Sequence, residues 1–383
     1  MSDPGPSVAT EDAGHRSAIL QLLNRVADPD GFVPFDRFMD VALYGEGAGY
    51  YARPGSPFGR GGDFYTAAHV SPLFGRTIAE RVRSILASLP PGPSVRIVEV
   101  GPGDGALGES VVQGLASAPG IPPGLEYVLV ERSPSLAGEG FERVSAAGRA
   151  AGIDVRASTG VGAEGPFRGV VFANELLDAQ PVRRLSWDGI RWQETGIRLG
   201  PDGLTPATAP CTRAVPSPRL PEGAAEGSVL EISPMAEGIV REVADHLTAG
   251  LALFLDFGMD QTELLTAHPS GTLAAVQKHR PVRDPLDDPG SSDLSAFVNF
   301  DRIRAVARSS GLVEVAFRRQ AEALGAWGLP MLLERAVGSA PSDEMRVRVH
   351  LAAKNLLFGF ERFYALELAP PFRANDAPSR GVR

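Results

Sequence analysis

The sequence predicts an α/β fold whose sheet is mostly parallel and covered by helices on both faces. Three observations predict it. Short apolar runs at 95–100, 125–130 and 169–173 alternate with stretches of helical spacing. A glycine-rich turn, Gly101-Pro102-Gly103-Asp104-Gly105, follows the first run. An acidic residue, Glu131, closes the second, at the strand end where such sheets place their ligands.

Residues 1–15 are rich in Pro, Gly, Ser and Asp and are expected to be a disordered tail. Residues 16–90 form a helical and loop segment. In it Ile19, Leu22, Leu23 and Val26 recur at helical spacing, and 45–66 is a loop rich in glycine and aromatics. Ser71-Pro72 then opens a helix, Ser as N-cap and Pro in the first turn, with Ile78, Val82, Ile85, Leu86 and Leu89 on one face. Residues 91–320 carry the core sheet, and Leu107, Val111, Val112 and Leu115 mark its first crossover helix. Within this core, 186–227 is rich in Gly, Pro and Thr and is expected to be an inserted hairpin-like cap or lid. The sheet pattern resumes at 229–232 and 251–257. A helix over 301–310 closes at Gly311, and 312–317 is expected to be the last strand. Residues 321–383 read as a helical segment to about 368 with a disordered end.

The chain has 383 residues and a net charge of -9, a balance that weighs against broad binding to a phosphate backbone, so no nucleic-acid partner is expected. Lys278 and Lys354 are its only lysines, the usage of a GC-rich bacterial genome. Cys211 is the single cysteine, which rules out an internal disulfide and a thiolate zinc cluster; no metal is expected, and a reducing cytoplasm is the simplest compartment. Residues 1–14 lack the basic start and apolar run of a signal peptide. No stretch reaches the roughly 18 apolar residues of a membrane helix.

The glycine turn is the strongest chemical signal. Glycine permits tight backbone angles and lets a ligand approach the main chain. Free N–H groups in the loop and at the following helix start can bind a carboxylate. Glu99, two residues before Gly101, can meet a positive amino group, and Glu131 can take two ribose hydroxyls. An NAD site has the same outline. The spacing Gly101, Gly103, Gly105 and the preceding acid favour S-adenosylmethionine.

Further segments extend the pattern over roughly residues 35–300. They are Phe38-Met39 through Gly49-Tyr50-Tyr51, Gly62-Asp63-Phe64-Tyr65-Thr66, and Val70-Ser71-Pro72-Leu73-Phe74-Gly75. They continue with Glu99 to Gly105, Ala173-Asn174-Glu175-Leu176-Leu177-Asp178-Ala179, Glu231-Ile232-Ser233-Pro234, Asp256-Phe257-Gly258 and Asp284-Pro285-Leu286 through Asp293-Leu294. In this order they resemble the MidA-type methyltransferases, relatives of the mitochondrial complex I assembly-factor arginine methyltransferase. The resemblance implies a Rossmann-like class I methyltransferase sheet with an N-terminal helical segment and an inserted cap, and S-adenosyl-L-methionine as cofactor, with S-adenosyl-L-homocysteine as product. It maps the family's glycine motif onto Gly101, Gly103 and Gly105 and its Asn-Glu motif onto Asn174 and Glu175.

Three departures stand out. Ala68 and His69 replace a usual Pro-Glu, Asp104 replaces a usual Arg or Lys, and Asn299 replaces a usual Asp. A guanidinium pocket relies on carboxylates, so the losses at 69 and 299 weigh against an arginine acceptor. The reading that follows is transfer of a methyl group to oxygen or nitrogen of a small specialised metabolite. A protein arginine methyltransferase and a non-catalytic assembly factor that binds the cofactor are the alternatives. His69 is the candidate base, with Glu175 and Asp178 as further catalytic residues. Asp63, Thr66, Glu99, Gly101, Gly103, Gly105, Glu131 and Asn174 are expected around the cofactor. His279 is a weaker candidate base, and Trp187, Trp192 and Trp327 are expected to pack. The expected partners are a small-molecule acceptor or a protein substrate, no membrane, and at most a second copy of the chain in a homodimer.

Overall fold

The protein is described here by a computed structural model. The structure describes residues 8–53, 67–90, 92, 95–163, 165–201, 203–215 and 225–371. It divides into two compact units. One comprises Phe58–Leu177, Glu237–Gly258 and Arg302–Arg383, the other Met1–Pro57, Asp178–Ala236 and Met259–Asp301.

The first unit is built on the parallel sheet that the sequence predicts. Its strands are β1 (Val95–Val100), β2 (Glu126–Val130), β3 (Asp154–Ser158), β4 (Phe167–Asn174), β5 (Leu247–Met259), β6 (Val313–Arg319) and β7 (Phe363–Ala369). They lie in the order β3-β2-β1-β4-β5-β7-β6. The pairs from β3 to β5 are parallel, and β7 runs antiparallel to both neighbours. β1 is rich in valine and isoleucine because a central parallel strand is covered on both faces. Helices α1 (Ala67–Val70), α2 (Pro72–Ser88), α3 (Ala106–Ala116) and α4 (Pro134–Ala151) belong to this unit. Phe74 and Ile78 of α2, Ile97 of β1, Val111 of α3, Tyr127 of β2 and Phe172 of β4 share one core, all fully buried. Burying a side chain of this size contributes about 1.5–3 kcal/mol. The helix starts follow local chemistry. Ser71 Oγ accepts from Leu73 N at 3.2 Å, with Pro72 next in the chain, and Ser133 and Pro134 repeat the device at α4.

Several elements differ from expectation. β3 carries no apolar run and was not anticipated. Residues 363–369, expected as the end of a helical tail, form β7 between β5 and β6. A helix spans Val8–Val26, so it begins inside the segment expected as a tail.

The second unit holds the inserted segment. Strands Trp192–Gly200 and Gly203–Pro210 form the expected hairpin. The first of them also pairs with Arg183–Trp187 and with Phe32–Pro34. Val229–Ile232, expected to rejoin the core sheet, pairs instead with Arg183–Trp187 in this second sheet. Trp187 and Trp192 pack edge to face at 5.4 Å, as packing residues do. Arg183, Glu194, Arg213 and Asp36 form a buried or half-buried ion-pair chain, with Arg183–Glu194 at 2.7 Å and Arg213 bidentate on Asp36 at 2.6 and 2.9 Å. His279 sits at φ 59 in a tight turn between short strands, exposed. Among the described residues no helix is long and apolar enough to cross a membrane.

Candidate active site

The site grows from the C-terminal ends of β1, β2 and β4, all in the first unit. β1 ends in Glu99-Val100 and turns at Gly101, Gly103 and Gly105, with φ of 70, 54 and 79°. Those angles are costly for any side chain but cheap for glycine. Gly105 is the N-cap of α3, and a Cβ there would fall 2.7 Å from Gly140 O of α4.

Glu99 is buried and accepts a hydrogen bond from Tyr127 Oη at 2.7 Å. Burial pushes its carboxyl up to about 8, against the Tyr127 hydrogen bond, and the nearby Asp104 and Glu131 charges add to the rise. Glu131 ends β2. Its Oε1 accepts from Ser133 N at 2.8 Å and its Oε2 from Gly103 N at 3.3 Å, which ties the second strand end to the glycine turn. Burial raises the Glu131 carboxyl as well, against those same amide hydrogen bonds.

The raised value at Glu99 has a measurable consequence. A carboxyl that titrates higher in the folded chain than its ordinary 4.5 stabilises the fold while neutral. That contribution is complete below about 4.5 and is lost as pH rises through about 8. Thermal unfolding of the ligand-free protein should therefore show Tm falling over this window. Glu99→Gln, which stays neutral and still accepts from Tyr127, should flatten the fall; identical pH profiles for the two proteins would contradict the assignment.

At the end of β4, Glu175 has φ 51, an uncommon angle for a side-chain-bearing residue. Its N–H donates to Leu255 O at 2.9 Å. Its Oε1 accepts from Ala67 N and from Asn174 Nδ2, both at 3.2 Å. Burial raises its carboxyl, partly offset by these hydrogen bonds and by His69. Asn174 Oδ1 is buried and accepts no hydrogen bond from the described residues. Behind this turn Asp256 of β5 accepts from Leu176 N at 3.1 Å and Leu177 N at 2.7 Å, so it braces the turn. Burial pushes Asp256 up to about 7, against the Leu177 hydrogen bond and with the Glu175 charge adding to the rise.

His69, in α1, faces the glycine turn. Its Nε2 lies 3.2 Å from Asp104 Oδ2. The same oxygen accepts from Arg143 Nη1 of α4 at 2.7 Å, and Asp104 Oδ1 accepts from Ala106 N at 3.1 Å. Burial opposes ionisation of Asp104, but His69, the Ala106 amide and Arg143 outweigh it and hold its carboxyl below the usual range. Two of the three departures from the resembled pattern, His69 and Asp104, are thus each other's partners.

One cavity is lined by His69, Glu99, Gly101, Gly103, Asp104, Asn174 and Glu175. Expected site residues therefore come together from three separate segments. Gly105 and Glu131 support the lining through α3 and through Gly103. Asp178, expected to act in catalysis, is placed in the other unit. There it is buried, and its carbonyl accepts from Ala296 N at 3.0 Å. Asp63 and Thr66 lie outside the described residues. Sequence reasoning missed Tyr127, Arg143 and the role of Asp104. The departure at 104 was a signal for the last; nothing local marks the other two.

Comparison with known proteins fits this geometry. A Burkholderia thailandensis protein whose crystal structure is bound to S-adenosyl-homocysteine superposes with a TM-score of 0.83 at 30% identity, over 100% of this chain and 99% of that one. The Drosophila melanogaster protein arginine methyltransferase NDUFAF7 homolog, mitochondrial, is 28% identical over 79% of this chain and 72% of its own length. The Rattus norvegicus protein arginine methyltransferase NDUFAF7, mitochondrial, is 24% identical over 97% of this chain and 88% of its own length. The model of the S-adenosyl-L-methionine-dependent methyltransferases Methyltransf_28 matches residues 75–317. With its α/β sheet, its glycine turn and this match over more than half its length, the chain belongs to that family and is a methyltransferase of the class I fold that uses S-adenosyl-L-methionine.

Proposed function

We propose that the enzyme methylates nitrogen, and that the acceptor is the guanidinium group of an arginine in a protein. The observation that carries the reading is the pair of acceptor groups at the end of β4. Glu175 offers a carboxylate and Asn174 Oδ1 a buried, unsatisfied oxygen in one cavity with the glycine turn. A guanidinium presents N–H donors in a fixed fork, which such a pair can receive. Its positive charge also favours ionisation of Glu175, whose carboxyl burial holds up. The names of the Drosophila and rat relatives point the same way.

The residues present fit the cofactor. The cradle at Gly101 and Gly103 has no side chain to obstruct it. Glu99 is a buried carboxyl that ionises readily beside a cation, and Glu131 stands at the strand end suited to ribose hydroxyls. S-Adenosylmethionine supplies a methyl group on a positively charged sulfur, already electrophilic. The chain then has to bind the acceptor, orient its lone pair and exclude water. Glu175 and Asn174 do the first two, and Glu175 and His69 are the groups able to accept a proton.

A second reading keeps the small-molecule acceptor with an oxygen or nitrogen nucleophile. The His69–Asp104 pair favours it, because a hydroxyl acceptor needs a base. Incubating the enzyme with methyl-labelled cofactor and an extract of its own host separates the two. Label recovered as methylarginine after protein hydrolysis supports the proposal. Label confined to small molecules overturns it in favour of the second reading.

A further inference from the structure

We propose that Asp256 is a positioning residue that acts through Glu175: it holds the turn after β4 in the conformation that sets the Glu175 carboxylate beside the cofactor cradle. This rests on the reading above, in which Glu175 receives the acceptor.

β4 and β5 are parallel neighbours with Leu255 registered on Asn174, so Glu175 and Asp256 are the next residues along adjacent strands. At Glu175 the chain turns left-handed, at φ 51, which side-chain-bearing residues seldom adopt. Such a turn persists only where its surroundings hold it. Here β5 holds it from two residues. Leu255 O accepts from Glu175 N at 2.9 Å, and Asp256 Oδ2 accepts from Leu176 N at 3.1 Å and Leu177 N at 2.7 Å. Asp256 Oδ1 accepts from Phe257 N at 2.9 Å, which fixes the carboxylate itself. The turn then sets two further contacts. Glu175 Oε1 receives Ala67 N and Asn174 Nδ2. The Leu176 side chain lies against the glycine turn, where a Cβ added at Gly101 would stand 2.6 Å from Leu176 Cδ1. Asp256 is buried behind the cavity that Gly101, Asn174 and Glu175 line. Its influence on the reacting groups therefore runs through the turn, which keeps the acceptor carboxylate in register with the cradle.

The test is a double-mutant cycle between the two carboxylates. Removing a residue that works only through Glu175 costs nothing more once Glu175 is disabled. The substrates are saturating methyl-labelled S-adenosylmethionine and a whole extract of a host strain lacking the gene, and the rate of label transfer is read for each protein. Asp256→Ala should slow transfer about 100-fold, the scale of a misplacement of about 1 Å. Added to Glu175→Gln, it should slow transfer no further than Glu175→Gln alone. Asp256→Asn keeps an amide oxygen for Leu176 N and Leu177 N, and should run at least about tenfold faster than Asp256→Ala. Circular dichroism checks each fold; if Asp256→Ala does not fold, Asp256→Ser takes its place in the cycle. Losses that multiply in the double variant give Asp256 a role in the fold at large and overturn the proposal. An Asp256→Asn protein no faster than Asp256→Ala overturns it too. A Glu175→Gln protein as active as the wild type overturns it together with the carboxylate reading. Label in small molecules alone, with the cycle as expected, retains the role of Asp256 and sinks the guanidinium reading.

Discussion

Gly105→Val is expected to weaken S-adenosylhomocysteine binding at least 100-fold, a cost of about 2.7 kcal/mol. Two penalties act together. At φ 79 a side-chain-bearing residue costs about 1–2 kcal/mol, and a β-branched one more. The new Cβ would also stand 2.7 Å from Gly140 O and 2.9 Å from Gly140 Cα. Those are backbone atoms of α4, which cannot rotate away as a side chain would. Relief requires the start of α3 to move, and the Gly101–Gly105 turn moves with it. Titration calorimetry gives the affinity, and circular dichroism shows whether the fold survives. Gly138→Ala is the matched control, since it lies in the same helix with nothing within 4 Å of a new Cβ. It should bind normally and be marginally more stable. A Gly105→Val protein that binds within threefold of the wild type would mean that the turn is not the cradle.

The second large effect is at Glu175. Glu175→Gln should lower kcat by about 10²–10³-fold, in the range of one charged group acting at the reacting centre. Cofactor affinity should hardly change. Glutamine retains an oxygen for Ala67 N but brings no charge for a cationic acceptor. The same variant should gain stability. The Glu175 carboxyl titrates above its ordinary value, mainly through burial. The neutral form therefore stabilises the fold, and the contribution is lost as pH rises past the folded value. Around pH 8 the glutamine variant is expected to melt higher than the wild type while being nearly inactive. An active Glu175→Gln enzyme would remove the carboxylate from the mechanism. A variant that is inactive and also melts lower would mean that Glu175 is chiefly structural.

Much of this was legible in the sequence because it follows local rules. The apolar β1 run, the glycines after it and the acids at Glu99 and Glu131 occupy neighbouring positions in one βα unit. Asn174-Glu175 ends an equally apolar strand. What escaped notice lacks such signatures. β3 is a sheet-edge strand whose residues Asp154, Arg156 and Ala157 are exposed, so no apolar period marks it. β7, Phe-Tyr-Ala-Leu-Glu-Leu-Ala, is made largely of good helix formers, and tertiary context overrides that propensity. Ala365, Leu366 and Leu368 are buried, and so is Glu367, which receives Trp327 Nε1 at 3.0 Å and the Arg81 guanidinium. Val229–Ile232 is apolar, but an apolar run does not name the sheet it will join. At the site, His69 and Asp104 were noticed separately as departures. Nothing in their separation says that they meet, and Arg143 arrives from a third segment.

The place of β7 bears on how the chain reaches its native state. β5 and β6 are joined only through β7, which is made after both. During synthesis the β5 edge, with Leu251, Leu253 and Leu255 ready to be covered, must wait for more than a hundred residues to emerge. An apolar strand with an open row of backbone donors and acceptors is a template for pairing with other chains. The nascent protein is therefore most exposed to aggregation late in translation, and a chaperone that shields strand edges should raise its soluble yield more than one that only speeds proline isomerisation.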